Sequence, residues 1–425
     1  MLSDPPDIPI PEYKMQPTRT LSHGDYTVGW ICALPLELAA ATAMLDECHA
    51  KLPQPPRDHN TYTLGTISGH NVAIACLPSG SYGTISAAAV ATHMCSTFLQ
   101  IRFGLLVGIG GGVPGRQTDI RLGDVVVSKP TDSSAGVEQY DYGKTVAAGH
   151  FQRTGALNKP PQAMLTAIAK LQASNWKVRS RITEILSEIV AKDPEMSPFT
   201  CRSHQDLLFD AEYDHVNNGE PCESCCDLNK IVLREVRANQ EPQIHYGIIA
   251  SGNQVMKHGL TRDRIVQGLG ILCFEMEAAG IMDHFPSLVI RGICDYADSH
   301  KNKQWQEYAA VTAAAYAKEL LSVTPITTLN SSCRMTVPQR TVLTFELFSV
   351  SQTSKHTLIC SKCSFHPDWP CNVSSSSTSQ LFQCRCAQDQ DTASNIPGGR
   401  HEDQLLFACM NILTLKSPNH LDDLV

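Results

Sequence analysis

Four carboxylates in this chain sit beside apolar runs, where a fold could gather them: Glu37, Glu275, Glu277 and Asp295. Acids that meet in a cleft can transfer protons and stabilise developing positive charge. Three of the four are weak signals alone. Glu37 in isolation reads as a solvated helix residue. Glu275 and Glu277 are two apart, and on a helix such positions face different sides, so only one of them is expected to enter a site. Asp295 is more informative. It follows the apolar stretch Val289–Cys294, and an acid at the end of a buried strand is costly unless it is paired or used.

The elements that must hold these acids are legible as alternating strands and helices. Tyr26 to Leu34 reads as a buried strand, and Pro35 opens a helix over Leu36 to Glu47, because proline suits a first helical turn. Strands follow at Asn71–Leu77, Phe103–Ile109, Leu122–Ser128, Ile244–Ser251 and Val289–Cys294. Helices are expected over Thr84–Phe98, Cys273–Asp283 and Gln304–Leu321. Gly110-Gly111-Gly112 reads as a tight turn after its strand. Such alternation indicates an α/β fold around a largely parallel or mixed sheet. Ligands of such sheets bind beyond the carboxyl ends of the strands, where Glu37, Ser79, Gly110, Asn253 and Asp295 fall.

Composition bounds the rest. The chain has 425 residues, 42% hydrophobic and 18% charged, with a formal net charge of −8. That is ordinary for a protein with a sizeable core and gives no bulk attraction to nucleic acid or acidic lipid. No apolar run is long enough to span a bilayer, and the proline-rich start lacks the pattern of a secretory signal, so the cytosol is the expected location. Residues 1–25 read as a disordered lead-in. Residues 26–325 read as the functional domain, with a more polar insertion at about 175–240. Residues 326–425 read as a low-order tail rich in cysteine and serine.

The motifs, taken together, resemble the purine nucleoside and uridine phosphorylase superfamily. The resemblance is strongest to its methylthioadenosine/S-adenosylhomocysteine nucleosidase branch and to the phosphorylase-like domain of many fungal proteins. It is carried by Val28-Gly29-Trp30-Ile31-Cys32-Ala33-Leu34-Pro35-Leu36-Glu37, by Val107-Gly108-Ile109-Gly110-Gly111-Gly112 with Leu122 to Ser128, by Ile249-Ala250-Ser251-Gly252-Asn253, by Phe274-Glu275-Met276-Glu277-Ala278-Ala279-Gly280 and by Arg291-Gly292-Ile293-Cys294-Asp295-Tyr296-Ala297-Asp298. The resemblance implies a three-layer α/β/α fold with a central mixed sheet. It implies that Asp295 protonates N7 of a purine leaving group, which would need burial or neighbouring negative charge to keep it protonated. It implies that Glu277 binds the ribose hydroxyls, that Met276 packs on the sugar and that Glu37 orients an attacking water. Ser79 would sit near the sugar and nucleophile, Val255 and Met256 along the base, and Glu275 in support. The substrate would be a purine nucleoside or nucleotide. The family uses neither cofactor nor catalytic metal, and its members often assemble as dimers or hexamers.

Two nucleophiles remain open. A phosphorylase needs cations for phosphate, yet no arginine stands in Leu105-Leu106-Val107-Gly108, and the stretch after the first strand carries Glu37 instead of a Gly-Asp-Pro-x-Arg loop. Charge complementarity favours water. Asn253 departs from the acid often found there in bacterial nucleosidases. Lys144, Arg153 and Lys159 are candidates to reach a 5′-phosphate chain, as in relatives that act on ATP, or are a solvated loop. A silent nucleotide-sensing module is the alternative to an enzyme. Keeping Glu37, Glu277 and Asp295 together favours the enzyme.

The 17 cysteines read as thiols instead of disulfides in a chain with no export signal. Cys222 and Cys225 form a CxxC followed by Cys226, but no fourth ligand is apparent in the sequence, so no metal is expected. Cys360, Cys363, His366, Cys371, Cys384 and Cys386 have irregular spacing.

Overall fold

A computed structural model describes residues 21–115, 118–175, 179–202, 204–217 and 220–326. Most of the expected lead-in and nearly all of the tail, with its second cysteine cluster, lie outside the described residues.

The strands are β1 (Val28–Cys32), β2 (Glu47–Cys48), β3 (Tyr62–Ile67), β4 (His70–Cys76), β5 (Phe103–Gly112), β6 (Val125–Ser128), β7 (Val137–Gln139), β8 (Gly143–Thr145), β9 (Phe151–Arg153), β10 (Ile244–Ser251), β11 (Ile271–Glu275) and β12 (Ser287–Asp295). The helices are α1 (Pro35–Ala43), α2 (Thr84–Thr97), α3 (Gln162–Asn175), α4 (Ile182–Lys192), α5 (Ser197–Thr200), α6 (Cys222–Cys225), α7 (Gly259–Val266) and α8 (Gln306–Val323). The main sheet runs β11-β10-β6-β12-β5-β1-β4-β3-β2, with β7 beside β10; β8 and β9 form a separate hairpin. It is mixed. β1 is parallel to β4 and β5, and β5 is parallel to β12, whereas β6 runs against β12. The far end of β5 also pairs antiparallel with β11, which curls that half of the sheet into a ring.

Side chains alternate across the strands because the pleat has a period of two residues. Trp30, Leu105 and Ile290 face one side and pack with α8 residues such as Ala310 and Tyr316. Ile31, Leu106 and Val289 face the other and pack with Ala87 and Met94 of α2 and with Phe285. The result is three layers, with helices on both faces of the sheet. The polar insertion is less detached than its composition suggests. Ile182, Ile185, Leu186 and Ile189, at helical spacing on α4, are buried in the same core as α8.

Two local expectations are corrected. The glycine run is strand and not turn: Gly110, Gly111 and Gly112 are the last three residues of β5. Close approach explains the glycines. A Cβ on Gly111 would lie 2.7 Å from Asp295 Oδ1, and one on Gly108 would collide with the Glu37 carboxylate. Nor does a helix span Cys273–Asp283. Residues Ile271–Glu275 pair with β10 and β5, and only a short 3₁₀ turn, Ala278–Gly280, follows. Strand pairing outweighs the alanine-rich composition. A strand that the sequence reading had not assigned, β3, forms an antiparallel pair with β4.

Candidate active site

Strand ends bring the acids together. β1, β5 and β12 are parallel neighbours, so their carboxyl ends share one edge. Gly111 is in register with Asp295 on one side and with Phe274 on the other. Beyond β1, Pro35 starts α1 and Glu37 stands at its third position, folded back over the helix start. A cleft of about 480 Å³ opens there. Its lining includes Glu37, Gly110, Val255, Met256, Glu275, Met276, Glu277 and Asp295 from the sequence analysis. Ser79 is exposed and does not line it. Asn253 is also outside the lining. Its Oδ1 accepts hydrogen bonds from Thr84 N and Thr84 Oγ1, both at 3.0 Å, so it fastens the start of α2. Lys144 and Lys159 are exposed and do not line the cleft, and Arg153 is paired with Glu138.

Glu37 is buried, and its carboxylate accepts from Ala33 N at 2.7 Å, Leu34 N at 3.0 Å and Ile109 N at 2.8 Å. A carboxylate has about four acceptor sites, so one remains for a further donor. Burial raises its pKa, opposed by Arg291 and by these three N–H groups.

Arg291, inside an apolar strand and without a role legible in the sequence, is central to the site. Its guanidinium is 1% exposed and lies between Glu275 and Glu277. Nη2 donates to Glu277 Oε2 at 3.2 Å and to Glu275 Oε2, while Nη1 reaches the Ile109 carbonyl at 3.4 Å. Both glutamates therefore enter the site, because Glu275 ends a strand and Glu277 precedes a short turn, instead of both lying on a helix. Glu275 also accepts from the backbone N–H groups of Glu277 and Ala278, each at 3.1 Å, which sets the turn that carries Glu277. Glu277 Oε1 accepts from Gly83 N at 3.2 Å.

Burial pushes Glu277 up to about 7; Arg291 opposes this, while Glu275 and Glu37 add to it. The stability consequence has a definite sign. Between its ordinary range and about 7, the folded chain holds a proton that the unfolded chain has released, so the stability present at lower pH is lost as pH rises through that window. Glu277→Gln is expected to flatten this slope. Thermal melts at about pH 5 and about pH 8 check it; an unchanged slope in the variant would contradict the assignment.

At the opposite end of the cleft, Asp295 is 5% exposed. Its Oδ1 accepts from Ala297 N at 2.9 Å, where Ala297 holds an unusual positive φ of 53°. Oδ2 accepts from Cys294 Sγ at 3.1 Å and from Lys301 Nζ at 2.6 Å. Of the two expected conditions, burial is present, whereas the charged neighbour is an ammonium. Burial works against the Lys301 charge, but Asp295 outweighs it and holds the lysine pKa above its ordinary value. Lys301 is a second residue that the sequence reading missed. Its place six residues beyond the acid, across the Asp298 turn, carries no short-range signal.

The edge of parallel strand ends, the helix layers and the gathered acids define a nucleoside phosphorylase-like α/β protein. The chain belongs to the phosphorylase superfamily, whose model matches residues 27–323. A nucleotide-binding leucine-rich repeat (NLR)-like protein of Hyaloscypha variabilis is 48% identical over 305 residues, 72% of this chain but 30% of that protein. The chain therefore spans less than a third of that relative. The 5′-methylthioadenosine/S-adenosylhomocysteine nucleosidase of Mycobacterium bovis is 23% identical over 312 residues, 71% of this chain and 98% of the enzyme. Among solved structures, the S-adenosylhomocysteine nucleosidase of Streptococcus pyogenes matches with a TM-score of 0.46 and 16% identity, covering 71% of this chain and 99% of that one. Among the described residues, no helix is long and apolar enough to cross a membrane.

Proposed function

We propose that this chain cleaves the N-glycosidic bond of a purine nucleoside or nucleotide with water, releasing the free base. The observation that carries this reading is the convergence of Glu37, Glu277 and Asp295 on one cleft. Breaking a ribosyl–purine bond passes through an oxocarbenium-like sugar, as in other glycoside cleavage. Glu277, under the ribose hydroxyls, offsets the positive charge that grows there. This interaction is stronger in the transition state than on neutral substrate, which is what accelerates a reaction. Met276 packs on the sugar, and Phe274, Val255 and Met256 form the apolar wall for the base. Asp295 directs a proton to N7 as the C1′–N9 electron pair leaves with the base. Lys301, bonded to the same carboxyl, stabilises the carboxylate that Asp295 becomes when its proton passes to N7.

Water is the nucleophile that suits this charge pattern. Among the described residues lining the cleft, the cations are Arg291, Lys301 and Lys303. Arg291 is taken up by Glu275 and Glu277, and Lys301 by Asp295. A phosphate beside Glu37 would meet carboxylates, whereas a water could donate to the acceptor site that Glu37 keeps.

The 5′ substituent is the finer question. Lys144, Arg153 and Lys159 are not in the lining, so the cleft serves the nucleoside core, with ATP as one form of the substrate. The test is to incubate the chain with adenosine, methylthioadenosine, AMP and ATP and to follow free adenine. Release from at least one of these without added phosphate is expected. A folded chain that releases no base from any purine substrate would overturn the proposal in favour of a binding module.

A further inference from the structure

The structure provides what the first cysteine cluster lacked in sequence. Cys222 to Cys225 form the single turn α6, and Cys226 N donates to the Cys222 carbonyl at 2.9 Å. One helical turn stacks residues three and four apart on one side. The imidazole of His215, seven residues before the CxxC, closes over the same side. Ligand atoms of His215, Cys222 and Cys226 lie within 4.8 Å of one another. Cys225 Sγ is 3.7 Å from His215 Nε2 and 3.8 Å from Cys226 Sγ.

These spacings have a specific meaning. With Zn–S of about 2.3 Å and Zn–N of about 2.0–2.1 Å, a tetrahedral ion sets its sulfurs about 3.7–3.8 Å apart and sulfur about 3.5–3.6 Å from nitrogen. The two distances at Cys225 fall at or near those edges. His215 Nδ1 is buried with no hydrogen-bond partner among the described residues. A buried nitrogen without a partner carries a cost that other interactions of the ring must offset.

We propose that His215, Cys222, Cys225 and Cys226 form a structural zinc site. His215, Cys222 and Cys226 form the mutually close group, and Cys225, near His215 and Cys226, is the fourth ligand; three thiolates and one imidazole are a ligand set of structural zinc ions. Its purpose follows from its neighbours. His215 N donates to Ser299 Oγ at 3.0 Å, and its ring meets that of His300 edge-on with centroids 5.4 Å apart. His300 in turn stacks on Phe209 at 4.1 Å. Cys222 and Asp295 line one small cavity. The ion thus clips His215 and the turn Cys222–Cys225 onto the turn Asp298–Lys301, which presents Lys301 to Asp295. This proposal stands on the cluster's geometry and is independent of the substrate.

The test uses the full-length chain purified from zinc-supplemented cells, with metal content measured by plasma mass spectrometry. Cys226→Ser and His215→Ala are expected to lose one equivalent of zinc relative to the unsubstituted chain, whereas Cys201→Ser, an exposed thiol outside the cluster, retains it. In the unsubstituted chain, Cys222, Cys225 and Cys226 are expected to resist alkylation until a chelator removes zinc, as mapped by peptide mass spectrometry. This second measurement decides the matter if the variants fail to fold. Equal zinc in all four proteins, or three thiols that alkylate at the same rate with and without chelator, would overturn the site.

Discussion

Asp295→Asn is expected to lower kcat by about 10²–10⁴-fold, the range a positioned acid supplies, while leaving the fold intact. The amide fits the same space and still accepts from Ala297 N, so the turn at Ala297 keeps its anchor. What it loses is the capacity to pass a proton to the leaving base and the ion pair that holds Lys301. KM should change less than kcat, because an interaction formed only as the bond breaks appears in turnover. Lys301→Met should also reduce turnover, since it removes the ammonium that stabilises the Asp295 carboxylate once its proton has passed to the base. Steady-state kinetics on any cleaved purine substrate, with circular dichroism to confirm folding, check both. Full turnover by the Asn variant would reject Asp295 as the acid.

Arg291→Met is expected to have the largest effect on stability. The guanidinium is 1% exposed and lies between Glu275 and Glu277. Removing one partner of a buried charge network typically costs about 3–5 kcal/mol, because the remaining charges lose their compensation. For a domain of this size that corresponds to a fall in Tm on the order of 10 °C. Adding Glu275→Gln to the Arg291→Met variant should restore part of the loss, since one uncompensated carboxylate is removed. Thermal unfolding of the single and double variants at about neutral pH measures this. A single variant as stable as the parent would show that the network contributes little to stability.

Much of the framework was legible because local pattern and tertiary context agree. The apolar runs at Val28–Cys32, Phe103–Ile109 and Val289–Cys294 are strands, and Pro35 opens a helix, as their composition dictates. The failures share one physical cause: partners distant in sequence. The glycines at 110–112 look like a turn until Asp295 and Phe274 are seen against them. Residues 271–275 have alanine-rich sequence after them, yet they become strand because β10 and β5 offer hydrogen bonds. That change of element is why Glu275 and Glu277 both meet Arg291. The buried stripe of α4 was visible at Ile182, Ile185 and Ile189, but the polar residues around it masked it.

The site divides in the same way. Asp295 could be singled out because it follows an apolar strand, whereas Glu37 and Glu277 are weak signals alone and stand out only through the family motifs that contain them. Arg291 could not be singled out, since a basic residue inside an apolar strand shows its purpose only when the two glutamates that compensate it are in view. Asn253 stands out by its position after β10, and its side chain holds the start of α2.

The most direct test of the central claim is a product balance. Purified chain is given a purine nucleoside in rigorously phosphate-free buffer and then in phosphate buffer, and free base, reducing sugar and sugar 1-phosphate are quantified. Water as nucleophile predicts equal amounts of base and reducing sugar in both buffers. Base that forms only when phosphate is present, matched by sugar 1-phosphate, would contradict it.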